Sequence, residues 1–242
     1  MRYLKTTFCL ALLILLSGSV LFSNESDDIW AKRNTKEDAK KAYEYFKNLY
    51  ETVGDYDSAW KYARATYHYA DIFVKNVNDK KAILTDGKNA ADKATKLAKD
   101  RAEGFLWYGV CLGGWAEANG IMESLSAADK ILNAASKAIQ IDPAYDDGGA
   151  FNLRARVYHK APGIISVGDE KKAEQDYQNA LKYGPNNRGA HRFYAEFLLE
   201  RGRKEQARDI ISKGLKIEYD PEDGIAEDKE IALLKELQKK AN

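Results

Sequence analysis

Residues 173–185 read AEQDYQNALKYGP, and residues 207–219 read ARDIISKGLKIEY. Ala173, Tyr177 and Ala180 recur 34 residues later as Ala207, Ile211 and Gly214. A small, a large and a small residue at this spacing share one face of a helix. The small ones let a second helix approach closely, and the large one fills the groove beside it. Pro185 stops the first of these helices, because its ring clashes with the preceding turn. Between the two copies, Tyr194, Ala195 and Leu198 mark another helix that ends at Gly202. Each period therefore holds two helices.

Working outward, Ile131, Ala135, Ala138 and Pro143 repeat the pattern, and Gly87, Ala91 and Ala94 repeat it once more. Ala138 to Ala180 spans 42 residues and Ala94 to Ala138 spans 44. The extra residues are expected between the paired helices, around 115–126 and 162–169, where a stack tolerates insertion. The matching first helices begin near Phe105-x2-Tyr108-Gly109 and Ala155-x2-Tyr158. A 34-residue period with this spacing is that of the tetratricopeptide repeat, TPR. The expected fold is all-α, a right-handed α-solenoid of about four degenerate TPR-like helix pairs. Ile231, Leu234 and Leu237 give residues 222–242 one apolar stripe, which suits a capping helix.

The N-terminal half is helical as well. Thr35 and Asp38 resemble a capping box before Ala42, Tyr43, Phe46, Leu49, Tyr50 and Val53, and Gly54 ends that helix. A second helix, capped by Asp57, is apolar on two faces: Trp60, Ala63, Tyr67, Ala70 and Val74 on one, Tyr62, Ala65, Tyr69, Ile72 and Phe73 on the other. Residues 24–34 read as a polar lead-in, and 35–242 as one repeat domain, clearest over 102–221. Residues 1–23 read as a secretory signal: Arg2 and Lys5, then the apolar run FCLALLILL from Phe8 to Leu16, then Ser17-Gly18-Ser19. Cleavage after Ser19 and after Ser23 are both allowed, the second preferred; an uncleaved anchor is the competing reading. Cys9 opens the apolar run rather than following a small residue at its end, so there is no lipobox. The expected location is periplasmic, with membrane tethering left open.

The 242 residues are 45% hydrophobic and 31% charged, which excludes a largely disordered chain. There are 38 Lys and Arg against 37 Asp and Glu. Such a balance gives no bulk drive toward nucleic acid or anionic lipid. Catalytic and metal signatures are missing: no H-E-x-x-H, C-x-x-C, G-x-S-x-G or P-loop occurs. His68, His159 and His191 lie in different expected helices. Ser58-x-x-Lys61 stands without the other motifs of its class, and Asp220–Asp228 has Tyr219 and Pro221 where a calcium loop needs carboxylates. Cys111, inside FLWYGVCLGGW, reads as a small buried hydrophobe. The expected protein is not an enzyme and holds no cofactor or metal.

Two groups of residues are candidates for binding. The aromatics include Tyr67, Trp107, Tyr108 and Trp115; they suit either core packing or a cavity for a ligand or partner. Arg154 and Arg156, with Tyr158, His159 and Lys160 beside them, suit either a salt-bridged face or an anchor for a carboxylate. The residues assigned to ligand or partner binding are thus Tyr67, Trp107, Tyr108, Trp115, Arg154, Arg156 and Tyr158.

The stretch Phe105–Leu215 resembles the T-component (TatT-like) family associated with tripartite ATP-independent periplasmic (TRAP) transporters. It is also similar to the eukaryotic regulator-of-microtubule-dynamics proteins. The residues carrying the resemblance are Trp115-Ala116-Glu117-Ala118, Asp142-Pro143-Ala144-Tyr145 with Gly148-Gly149, the run Arg156 to Pro162, and Gly168-Asp169 before Lys172-Ala173. The signal-like N-terminus favours the transporter family. That resemblance implies an accessory of solute uptake whose partner is a periplasmic substrate-binding protein. It also implies a small hydrophobic ligand and self-association, a trimer included. The alternative is an envelope scaffold or chaperone that holds extended peptides or lipoproteins in its concave groove.

Overall fold

The computed structural model describes residues 25–163 and 166–242. The segment read as a secretory signal lies outside the described residues. Within them the chain is helical throughout, with no strand. A short helix α1 covers 25–31. It is followed by α2 (Lys36–Thr52), α3 (Tyr56–Phe73), α4 (Val77–Leu97), α5 (Ala102–Asn119) and α6 (Ile121–Ile141). The second half holds α7 (Tyr145–Lys160), α8 (Glu170–Tyr183), α9 (Arg188–Glu200), α10 (Lys204–Leu215) and α11 (Gly224–Ala241).

Four antiparallel pairs carry the repeat: α3 with α4, α5 with α6, α7 with α8, and α9 with α10. The repeated small positions meet at the crossings. Ala91, Ala94, Ala135, Ala138, Ala173, Ala180 and Ala207 are all fully buried. Two glycines show how tight these crossings are. A Cβ on Gly87 would sit 2.9 Å from Thr66 Cβ and 3.2 Å from Cys111 Sγ, and one on Gly214 would sit 2.9 Å from His191 Cβ. The large residue of the repeat also goes where its spacing places it. Tyr177 is fully buried and stacks on Tyr194 at 5.6 Å between α8 and α9. Both apolar faces of α3 contribute to the core, against α2 and α5 as well as its partner α4. Trp60, Ala63 and Ala70 come from one face and Tyr62, Ala65 and Tyr69 from the other, while Tyr67, Ile72, Phe73 and Val74 are only part-buried.

Four expectations need correction. Asp55, not Asp57, caps α3: its backbone is extended and its carboxylate accepts from Ser58 N at 2.9 Å. Asp57 lies in the first turn, where it accepts from Trp60 Nε1 and Arg101. The extra residues near 115–126 form no loop. Helices α5 and α6 simply run longer and turn at Gly120, whose φ of 113° is open to glycine. The second insertion does lie between helices, after Lys160 and before Glu170. Residues 24–34 are more than a lead-in, because Ile29 and Trp30 of α1 pack on the core of α2 and α3. Finally, the cap begins with a 3-10 turn, Pro221–Asp223, and α11 follows it. Leu234 buries that helix against Ala195 and Ile211.

The two ends of the stack meet. Asn34 Nδ2 donates to the Pro221 carbonyl at 2.7 Å, Arg33 pairs with Asp223, and Lys229 of α11 pairs with Asp71 of α3 at 2.6 Å.

Candidate functional site

The first helices of successive pairs pack on one another, α3 on α5, α5 on α7 and α7 on α9, and their shared side is the inner face. On α3, Arg64, Tyr67 and Asp71 stand at i, i+3 and i+7, one stripe of the helix. Trp107 of α5 donates its Nε1–H to the Tyr145 hydroxyl of α7 at 3.1 Å. The Tyr67 and Trp107 rings lie 6.5 Å apart. Gly114 makes room for Tyr67, since a Cβ there would sit 3.2 Å from the ring. Charged groups of three helices act electrostatically on the Tyr67 phenol: Asp71 from α3, Glu117 from α5 and Arg156 from α7. Burial pushes the phenols of Tyr67 and Tyr145 up.

The start of α7 turns in left-handed conformation at Asp146, Asp147 and Gly148, with φ of 54°, 49° and 70°. Aspartate tolerates this region better than most residues. Asn187 Nδ2 holds the turn by donating to the Asp147 carbonyl at 3.2 Å. Asp146 is solvent-exposed on this face, and the charge of Arg64 acts on its carboxylate from across it. At the far end, Trp30 of α1 lies between two guanidiniums, Arg33 at 4.0 Å and Arg64 at 3.8 Å, and meets the His68 ring at 5.6 Å.

The seven residues assigned from sequence do not form one site. Tyr67 and Trp107 share the inner face. Tyr108 and Trp115 lie instead in a groove between α4 and α6. Arg154 points to α8, where Nε and Nη2 donate to buried Asp176 at 2.7 and 2.8 Å and Nη1 donates to Ser136 at 3.0 Å. Arg156 pairs with Glu196 at 3.0 Å and stacks on Phe193 at 4.0 Å. Tyr158 packs on the α8–α9 core around Tyr177. Of the two readings of the basic cluster, the salt-bridged face describes Arg154. Sequence reasoning passed over Arg64, Asp71, Tyr145, Asp146 and Trp30. The α3 stripe was readable at helical spacing, but Asp146 reaches the inner face only through a left-handed turn that no periodicity announces.

The three histidines are set by packing. His159 bonds Tyr177 OH at 3.0 Å and Glu200 at 2.9 Å, and His191 bonds the Asn187 carbonyl at 3.0 Å. Burial lowers both, and it pushes His68 down to about 4, helped by Arg33 and Arg64. A histidine depressed in the folded state binds fewer protons than in the unfolded chain. Its contribution is complete above the unfolded value of 6.5 and is lost as pH falls toward about 4. Between about pH 7 and 5 the His68 share is ~2 kcal/mol. Urea unfolding of the wild type should lose that much more than His68→Gln over this range; parallel curves would refute it. Among the described residues no three His, Cys, Asp or Glu side chains group as metal ligands do.

Comparison with known proteins places this architecture. The family profile described as regulator of microtubule dynamics protein 1-3 matches residues 22–148, and a tetratricopeptide repeat profile matches 165–223. Regulator of microtubule dynamics protein 3 of Mus musculus is 29% identical over 122 residues, 50% of this chain and 26% of that protein. Its Rattus norvegicus counterpart is 32% identical over 99 residues, 40% of this chain and 20% of that protein. The matched stretch thus spans about a quarter of the length of the first and a fifth of the second. The crystal structure of TTC0263, a thermophilic TPR protein of Thermus thermophilus, superposes with a TM-score of 0.59 at 16% identity. It covers 82% of this chain and 91% of that one, and bears out the TPR-like fold.

These matches overturn the assignment to the TRAP T-component family. Both sequence relatives and the first profile belong to the other family named above, and the repeats common to the two explain why the motifs alone did not separate them. The role in TRAP-type uptake falls with it. The substrate-binding partner, the small hydrophobic ligand and the trimer lose the resemblance that implied them. With more than half of its length matched by that profile, the chain belongs to the regulator of microtubule dynamics protein 1-3 family.

Proposed function

We propose that this chain is a non-catalytic docking scaffold whose inner face, formed by α3, α5 and α7, holds part of a partner protein. The observation that carries the reading is the convergence around Tyr67. An aromatic floor of Tyr67, Trp107 and Tyr145 is bordered by Asp71, Glu117 and Arg156, contributed by three separate helices. Aromatic area with polar tips, edged by charges of both signs, suits a protein surface. The TPR fold supports it, being a scaffold that builds extended binding surfaces.

The charged border is the place to test. Wild-type chain and a Glu117→Lys/Arg156→Glu variant, matched in melting temperature, are used as baits in extract of the source cells. A partner bound through the inner face is recovered by the wild type and lost by the variant. Equal recovery by both, or no specific recovery, defeats the proposal. Export of the chain belongs to the same proposal, supported by the charged n-region and apolar run of residues 2–16. N-terminal sequencing of the cellular protein tests it; an intact Met1 in unfractionated cytosol would count against it.

A further inference from the structure

About a third of a turn around α5 from Trp107 lies a second stripe, formed by Tyr108, Leu112 and Trp115 at i, i+4 and i+7. They floor a groove of about 300 Å³ walled by α4 and α6. Lys88 of α4 holds its ammonium 4.1 Å over the Trp115 ring. Lys130 of α6 lines the opposite wall. Among the described residues, neither lysine has a carboxylate partner. The one acidic residue of the groove, Asp92, is taken by Lys96 at 2.5 Å. Met122, Ser126 and Lys130 share a face of α6 at i, i+4 and i+8, and Met122 is 71% exposed. The groove therefore offers an aromatic floor, an apolar residue one turn away and two lysines on opposite walls with no carboxylate partner.

The corresponding groove between α9 and α10 has a similar volume, about 340 Å³, and the opposite charge, with Glu205 and Asp209 on its rim. Common helix geometry thus makes the two grooves, and only the side chains set their sign. The chain's own N-terminal residues 1–24 are no match for the first groove, since they hold Arg2 and Lys5 and no carboxylate side chain.

We propose that this groove docks an acidic segment of a partner protein. One carboxylate is held by the Lys88 and Lys130 ammoniums, and one apolar side chain rests beside Tyr108 and the edge of Trp115, toward Met122. Charge complementarity selects the segment, and the aromatic floor supplies the buried area. The groove is walled by α4 and α6 and shares no lining residue with the inner face, so it stands whether or not that face binds.

The test uses the full chain and a short fluorescein-labelled peptide of Asp and Glu with Leu or Phe at every fourth position, read by anisotropy. Its lysine counterpart is the control. Saturable binding that weakens with added salt is expected for the acidic peptide. Lys88→Glu/Lys130→Glu should weaken it at least about tenfold, whereas Glu205→Lys/Asp209→Lys leaves it within about twofold. Circular dichroism and melting temperature check that each variant folds, and Lys88→Gln/Lys130→Gln replaces the reversal if that variant does not. Absence of saturable binding, equal binding by the reversed chain, or equal binding of the lysine peptide would overturn the proposal.

Discussion

Replacing Asp176 by alanine should lower the unfolding free energy by about 3 kcal/mol. Its carboxylate is 4% exposed and receives both arms of the Arg154 guanidinium, which also reaches Ser136. One side chain therefore ties α6, α7 and α8 together. Removing the acid strands a half-buried cation whose pKa the pair had raised. Denaturant unfolding measures the loss. The pair Arg154→Met/Asp176→Leu should recover most of it, because a buried ion pair replaced by apolar residues of similar size costs little. A loss under ~1 kcal/mol for Asp176→Ala would return Arg154 to the list of residues free to meet a ligand.

Arg188→Met should cost about 3–5 kcal/mol and loosen the cap helix. Arg188 is 3% exposed at the start of α9. It donates to the Gly214 carbonyl at 3.1 Å and the Ile217 carbonyl at 2.6 Å, and it pairs with Glu227 of α11. The carbonyls lie at and beyond the end of α10, where a cation also meets the negative end of the helix dipole. Methionine fills the space and supplies no donor, leaving a buried carboxylate unpaired. The melting temperature should fall by roughly 10 °C. Limited proteolysis should open residues 216–223 first. Cleavage elsewhere with that segment intact would show that α11 is held by Leu234 and its neighbours alone.

Much of the fold was legible because TPR packing writes itself into residue size. Ala173, Tyr177 and Ala180 announced both a helix and the closeness of its partner. Thr35 announced a cap through its hydroxyl, which accepts from Asp38 N at 3.1 Å. Asp57 was read as the cap that Asp55 supplies, since which aspartate is extended depends on the turn before them and not on residue type. The added length around Gly120 read as a loop because period counting registers extra residues and not whether they continue a helix. The inner face was half legible. Tyr67 and Trp107 stood out as aromatics, but their charged border comes from helices far apart in sequence, and only packing brings Asp71, Glu117 and Arg156 together. The family assignment failed where one repeat pattern serves two families.

The contacts between Asn34 and Pro221, Arg33 and Asp223, and Asp71 and Lys229 change what kind of polymer this stack is. An open repeat array behaves like a row of coupled spins, and it frays from whichever end is weaker. Here the first and last units are each other's neighbours, so the row becomes a circle. Peeling α11 away also removes support from α1, and the reverse holds equally. The cost of opening either terminus is then shared by both, which favours one cooperative transition over stepwise loss of repeats.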